Sequence, residues 1–79
     1  MKEFKVRLQS ITDVKNFVTA ASLRNCDVDV ISGRYLVDAK SIMGLFSLDL
    51  SNPVSVKIHG DDEECKTFCL DVVDLIVND

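Results

Sequence analysis

The chain has 79 residues, of which 47% are hydrophobic and 28% charged, and its net charge is -4. A chain of this length forms one small domain, here residues 1–79, that buries about 60% of its unfolded surface, and its hydrophobic fraction excludes a disordered polymer. The acidic balance also argues against nucleic acid and anionic membrane surfaces as partners, because both repel negative charge.

The first predicted elements are a strand and a helix. Residues 2–8 alternate between charged and apolar side chains, which is typical of a half-buried strand. Residues 12–24 carry apolar side chains at helical spacing, which predicts an amphipathic helix. Ser10 or Thr12 can cap the start of this helix, and Ser10 followed by Asp13 resembles a capping box. The apolar stripe of the helix consists of Val14, Phe17, Val18 and Ala21.

Two strands joined by a tight turn are predicted next. Residues 27–31 alternate again, the pair Ser32-Gly33 is typical of a turn, and residues 34–38 form the second arm of a hairpin. A further strand over Val54, Val56 and Ile58 follows the punctuating pair Asn52-Pro53.

The last predicted element is a helix that begins at the acidic run Asp61–Glu64, just after Gly60. Carboxylates are stabilised at a helix start by the helix dipole, so this reading is favoured over a cation site. Its apolar stripe consists of Cys65, Phe68, Cys69, Val72, Leu75 and Ile76. The element order is then βαββαβα, which predicts an α+β open-faced β-sandwich: a four-stranded antiparallel sheet with helices on one face.

The cysteines and the apolar runs bear on location. The chain has three cysteines, an odd number with no CxxC pair. Cys65 and Cys69 lie on one face of the last predicted helix, and a zinc site built on them could add only Cys26 and His59 as ligands. We therefore expect buried structural thiols and neither a metal nor a cofactor. No apolar run approaches the roughly 20 residues that span a bilayer, and the N-terminus lacks the apolar segment of a signal peptide. We expect a cytoplasmic protein.

Residues 40–48 form a short, mostly apolar segment that opens with a serine. Ser41 is a good N-cap for a helix of barely two turns, and Gly44 allows that helix to pack closely. So short a helix cannot bury apolar groups on every side. We expect Leu45 and Leu48 to face the core, leaving Ile42, Met43 and Phe46, here called the apolar patch, partly exposed. Such a patch is a candidate docking surface, unless Ser41 is only a cap and the apolar residues are only core.

The run Lys40-Ser41-Ile42-Met43-Gly44-Leu45-Phe46-Ser47-Leu48 resembles the short second helix of HPr, the histidine-containing phosphocarrier of the bacterial sugar phosphotransferase system. Ala20-Ala21-Ser22, Gly33 and Asp61 fall at matching intervals around it. The resemblance implies the same element order and partner proteins that dock on the apolar patch. It also implies that Ser41 matches the serine that a dedicated ATP-dependent kinase modifies in Gram-positive bacteria. Phosphate there would add about two negative charges at a helix N-terminus, beside the patch.

The chain departs from the family at the start of its first helix. The family carries its phosphoryl group on a histidine in the context Gly-x-His-x-Arg-Pro, whereas residues 8–16 contain none of these four residue types, and the segment is shorter. The degenerate active-site loop here consists of Ser10, Ile11, Thr12 and Asp13. A serine or threonine ester has too low a transfer potential for onward relay, and Asp13 fits a helix-dipole role better than an acyl phosphate.

Three functions remain open on these grounds. The leading hypothesis is a non-catalytic docking or regulatory module of the phosphotransferase system, gated at Ser41, with phosphotransferase or regulatory proteins and a serine kinase or phosphatase as partners. The second is a working phosphocarrier with a relocated acceptor, His59 or Asp13, although His59 is more simply explained as a solvated strand-end residue. The third is a structural module that self-associates through the apolar patch.

Overall fold

The structure, a computed structural model, describes residues 2–77. It contains four strands, three α-helices and a closing 3-10 turn. In chain order these are β1 (Lys2–Val6), α1 (Ile11–Ser22), β2 (Val28–Ser32), β3 (Tyr35–Asp38), α2 (Ile42–Phe46), β4 (Val54–Ile58), α3 (Asp62–Asp71) and the 3-10 turn Val73–Leu75. The predicted element order is confirmed.

The four strands form one antiparallel sheet in the order β1-β4-β2-β3. Strand β4 lies between β1 and β2, and its residue Val56 is opposite Phe4 on one side and Val30 on the other. The two-residue turn that joins β2 to β3 has Gly33 at a φ of +60°, a left-handed conformation that glycine adopts at little cost. This is the predicted hairpin.

The core lies between one face of the sheet and the helices. Along β4 the side chains at 54, 56 and 58 are buried, whereas Ser55 and Lys57 between them are only half-buried, as expected for a sheet covered on one face. Phe68 of α3 and Phe17 of α1 meet edge to face, with ring centroids 5.6 Å apart, a favoured aromatic geometry. The α+β open-faced architecture is confirmed.

Helix α1 begins one residue earlier than predicted, at Ile11. The Ser10 side chain accepts a hydrogen bond from the Asp13 backbone N–H at 3.1 Å, so Ser10 is the cap and the alternative cap, Thr12, lies inside the helix. Asp13 in turn accepts from the Gln9 N–H at 3.0 Å. The predicted capping box is therefore present with its return bond shifted by one residue.

The end of the chain differs from the predicted helix. Helix α3 stops at Asp71, and Leu75 and Ile76, predicted on its apolar stripe, lie in the 3-10 turn and in a β-bridge to Val6. Backbone bonds from Arg7 N–H to the Leu75 carbonyl (2.8 Å) and from Val77 N–H to the Lys5 carbonyl (2.9 Å) hold this segment. It pairs with the outer edge of β1 at its Lys5–Val6 end, where the backbone groups would otherwise be unpaired.

Candidate functional site

Ser41 caps the short helix α2. The Gly44 N–H donates to the Ser41 Oγ at 3.1 Å, and the residue is exposed. At the other end the Ser47 Oγ donates to the Gly44 carbonyl at 2.6 Å. A Cβ added at Gly44 would lie 3.2 Å from the Ser41 Oγ and 3.4 Å from the Val37 Cβ, so glycine gives the close packing expected at this position.

The apolar patch lies on the outside of α2. Met43 is 76% exposed and Phe46 44%, whereas Ile42 is half-buried against the core. Leu45 is fully buried and Leu48 packs against the core at half burial, as predicted from the length of the helix. Two large apolar side chains thus face outward within about one and a half turns of Ser41.

The degenerate active-site loop is exposed at three of its four positions. Ser10, Ile11 and Thr12 are exposed and Asp13 is half-buried. The polar groups of Ser10 and Asp13 are already engaged in capping α1. The loop presents to the outside the Ile11 side chain, which is 64% exposed, together with the Thr12 side chain.

A concavity of about 440 Å³ joins the loop to α2. Leu8 and Val14 are buried beneath it, and Ile11 of the loop and Phe46 of the patch both line it. Arg7, Leu50 and Ser51 complete one side. The structure thus brings the degenerate loop together with one member of the predicted patch. Sequence spacing does not predict that Arg7 and Leu8 lie beside Leu50 in this concavity, because the two segments are far apart along the chain.

His59, the one histidine of the chain, lies far from the loop. It follows β4 at the end where Ile58 pairs with Lys2, whereas α1 follows from the other end of β1, where Val6 pairs with Val54. The four residue steps along β4 separate these ends by about 13 Å. The His59 Nε2 lies 2.9 Å from the Asp29 Oδ2, and both side chains are partly exposed. The structure does not bring His59 to the loop.

The three cysteines are free thiols in the described part of the chain, with Cys65 buried and Cys26 and Cys69 half-buried. Burial raises the pKa of Cys26, with a further increase from Glu64 nearby, and burial likewise raises the pKa of Cys69. Because the thiolate is the reactive form, the raised pKa values lower the reactive fraction of these two thiols near neutral pH.

Within residues 2–77 no group of three or more His, Cys, Asp or Glu side chains is arranged to hold a metal ion. The same range has no helix of the length and apolar character needed to traverse a bilayer. The acidic run that opens α3 is used for capping, since Asp61 accepts from the Glu64 N–H at 2.8 Å.

Comparison with known proteins identifies a family-level match over most of the chain. Residues 13–78 match the PTS-HPr family, described as the phosphorylation site of the HPr component of the phosphotransferase system. The match begins at Asp13, so it leaves out Ser10, Ile11 and Thr12 of the degenerate loop. No curated protein sequence matches the chain.

Several solved structures share the fold. HPr-C-His from Thermoanaerobacter tengcongensis is 34% identical, with a TM-score of 0.75 over 96% of this chain and 91% of that one. The histidine-containing phosphocarrier protein of Mycoplasma is 15% identical, with a TM-score of 0.74 over 98% and 100% of the two chains. The phosphocarrier protein HPr of Bacillus anthracis is 22% identical, with a TM-score of 0.70 over 90% and 95%. The last two show similarity of fold alone.

Proposed function

The chain belongs to the HPr family of the phosphotransferase system, and from that membership we propose that it is a docking and regulatory member rather than a phosphoryl relay. Its partners are proteins of the phosphotransferase system or of carbon regulation, and it works in the cytoplasm. The observation that carries the proposal is the pairing of an exposed patch beside Ser41 with a helix start that has no imidazole.

The chemistry of the loop supports the loss of relay. Within the degenerate loop the side chains that could take phosphate are the hydroxyls of Ser10 and Thr12 and the Asp13 carboxylate, which accepts from the Gln9 N–H. A phosphate ester on a hydroxyl stores too little free energy for transfer to a transport enzyme. A relay at this helix start would also need an anion site, and the Asp13 carboxylate opposes one there.

The geometry of α2 supports docking. Met43 and Phe46 expose apolar surface that a monomer gains nothing by exposing. The methionine side chain is flexible and polarizable, which suits a surface that meets several partners. We therefore assign partner docking to the apolar patch: Ile42, Met43 and Phe46.

Ser41 is the proposed regulatory site. Its hydroxyl is exposed at a helix start, where a phosphate is favoured by the adjacent backbone N–H groups and the helix dipole. The added charge lies beside the apolar patch, so modification would weaken docking to an acidic or apolar partner. A serine kinase and a phosphatase are the enzymes this switch requires.

A paired phosphorylation assay tests the proposal. One reaction supplies phosphoenolpyruvate and the upstream phosphotransferase, and the other supplies ATP and the serine kinase. We expect no label from the first donor and one phosphate from the second, lost in Ser41→Ala but kept in Ser47→Ala, the control with another exposed hydroxyl. A label from phosphoenolpyruvate would establish a relocated acceptor instead, acid-labile if it is on His59 and cleaved by hydroxylamine if it is an acyl phosphate on Asp13. Failure of Ser41 to take phosphate would remove the switch and leave the docking to be tested separately.

Self-association through the apolar patch is the competing use of the same residues. Sedimentation distinguishes the two. A self-associating module would sediment as a dimer, and its Met43→Lys variant would sediment as a monomer. The docking module stays monomeric at the same concentration.

A further inference from the structure

We infer that two copies of this chain pair edge to edge through β3, with Leu36 on the two-fold axis, so that their four-stranded sheets join into one antiparallel sheet. This edge is separate from the face formed by α1 and α2, and pairing there needs no partner of the phosphotransferase system. The register of the sheet, the side chains along β3 and the charges at its two ends all favour the pairing.

Strand β3 ends the sheet and has unpaired backbone groups on its outer side. The Ala39 N–H donates to the Val28 carbonyl at 2.9 Å, which fixes the alternation of hydrogen-bonded pairs between β2 and β3. Residues 35, 37 and 39 therefore point their backbone groups toward β2, and residues 36 and 38 point theirs outward. Within residues 2–77 no backbone hydrogen bond reaches Leu36 on that outer side. Such groups are a template for a further strand.

The side chains along this edge are large and exposed. Leu36 is 63% exposed on the open face of the sheet, and Tyr35 is 65% exposed on the face that carries the helices. A two-fold axis at Leu36 brings the two Leu36 side chains together, where they bury apolar surface. The same axis places each Tyr35 opposite Val37 of the other copy. An aromatic residue opposite a β-branched one is a favoured cross-strand pair.

The helix face of this edge has room for the second copy. A concavity of about 680 Å³ borders β3 there, and residues 47–49 form its other wall. This volume is within the range of protein binding pockets. The Tyr35 ring of a second copy would therefore enter open space rather than packed chain.

Charge selects the antiparallel register centred on Leu36. Arg34 lies two residues before Leu36 and Asp38 two residues after it, both are exposed, and neither forms an ion pair within residues 2–77. The two-fold axis places Arg34 of each copy opposite Asp38 of the other, so the pairing gains two attractive contacts. One Asp38 oxygen accepts the Lys40 N–H at 2.9 Å, which leaves the second oxygen for the arginine. A parallel pairing in register would instead set each charge beside its like.

The negative charges near this edge set a limit on the strength of the pairing. Asp29, opposite Asp38 in β2, lies 2.9 Å from the His59 ring, and Asp49 of the other wall accepts two hydrogen bonds from Ser51. Each copy also carries a net charge of -4, and the interface is one four-residue strand per copy. We therefore expect a weak dimer with a Kd of about 0.1–1 mM, so that the chain sediments as a monomer at lower concentration.

The pairing stops at two copies. The opposite edge of the sheet belongs to β1, and its Lys5–Val6 end is closed by the β-bridge from Val6 to Ile76. A head-to-tail array, in which β3 of one copy meets β1 of the next, is therefore hindered. The two-fold pairing of β3 with β3 closes on itself.

The test is a concentration series of the full ¹⁵N-labelled chain, from well below to well above the expected Kd, monitored by amide shifts. We expect the amides of residues 34–38 to move as the dimer forms, while those of Met43 and Phe46 stay in place. In a mixture of labelled and unlabelled chain, an isotope-filtered NOE should join the Hα of Tyr35 to the Hα of Val37. Only two different copies can give that signal, since the filter removes contacts within one chain.

Two sets of variants make the result specific. Leu36→Pro removes an outward N–H that the monomer does not use, so it should abolish the dimer, whereas Leu36→Val keeps that N–H and should retain it. Arg34→Glu should raise the Kd about tenfold, because it replaces two attractions by two repulsions. The double variant Arg34→Glu/Asp38→Arg should restore the dimer. Dispersed amide spectra at low concentration show that each variant is folded.

Amides of residues 34–38 that do not respond to concentration would overturn the pairing, and so would a dimer that survives Leu36→Pro. A dimer whose shifts lie at Met43 and Phe46 would mean that the copies meet through the apolar patch instead. Edge amides that respond only to an added phosphotransferase protein would assign the edge to that protein and not to a second copy. The proposed function is decided separately, by the paired phosphorylation assay.

Discussion

Helices α1 and α2 begin in the same way and differ in length and in the side chains that they bury. Each starts at a serine whose Oγ accepts the backbone N–H three residues on, from Asp13 in one case and Gly44 in the other, both at 3.1 Å. Helix α1 then runs for 12 residues over the buried side chains of Val14, Phe17, Ala20 and Ala21, whereas α2 runs for five and buries only Leu45.

The difference shows how much a serine cap contributes in each place. In α1 the cap adds to a helix that is already held by the packing of four buried side chains. In α2 the cap and one leucine hold a helix too short to be stable alone. The exposed patch and Ser41 therefore depend on each other, which suits a surface controlled by modification of that serine.

The largest expected effect comes from removing the packing under each helix. Phe17→Ala should lower the free energy of unfolding by about 3–5 kcal/mol, and Leu45→Ala by about 2–5 kcal/mol, because both side chains are fully buried. Urea unfolding measures both. At a temperature where both variants remain folded, Leu45→Ala should also lose partner docking, while Phe17→Ala should keep it. Docking that survives Leu45→Ala would mean that the apolar patch does not need α2.

The two caps give the next largest effect. Ser10→Ala and Ser41→Ala should each cost about 0.5–2 kcal/mol in the helix they start. In Ser10→Ala the loss should appear in global unfolding. In Ser41→Ala it should appear mainly as faster hydrogen exchange at the Gly44 and Leu45 amides, since so short a helix opens locally. Equal loss of global stability in both variants would contradict the view that α2 opens by itself.

The smallest expected effect is a local response to acid in the turn at Asp49–Ser51, which follows α2. Two hydrogen bonds lower the pKa of Asp49 below its ordinary value: the larger effect comes from the Ser51 hydroxyl and the smaller from the Ser51 N–H. The stabilisation of this turn is therefore present above the ordinary pKa of an aspartate and is lost as the pH falls through the lowered pKa. Carboxyl NMR shifts should show Asp49 titrating below the ordinary pKa of an aspartate, and Ser51→Ala should raise the pKa of Asp49. An unchanged pKa in that variant would assign the shift to another cause.

Local rules account for much of this molecule. The period of two predicted β1, β2 and β4, and the turn at Ser32-Gly33 predicted β3 as the second arm of the hairpin. The capping rules placed Ser41, and Ser10 or Thr12, at helix starts. The length of residues 40–48 was enough to predict that Leu45 is buried while Met43 is exposed. These are features in which a residue and its near neighbours decide the outcome.

The parts that sequence did not predict depend on distant pairing. The stripe from Cys65 keeps helical spacing through Ile76, yet Ile76 forms a β-bridge to Val6 instead of a further helical turn. That bridge pairs backbone groups at the edge of β1, a contact between the two ends of the chain that local spacing cannot predict. The concavity beside α2 likewise forms only because Leu8, Phe46 and Leu50 come together from separate parts of the chain.

The central claim is that this chain docks where a phosphocarrier would dock and relays no phosphoryl group. Its most direct test adds the chain to a working transfer from phosphoenolpyruvate through an authentic HPr to a sugar permease component, with ³¹P NMR monitoring every phosphorylated species. The account predicts that the chain slows the transfer by competition, that Met43→Lys relieves the inhibition, and that the chain itself stays unphosphorylated. Phosphate passing through the chain to the permease component, or transfer unaffected by an excess of the chain, would contradict it.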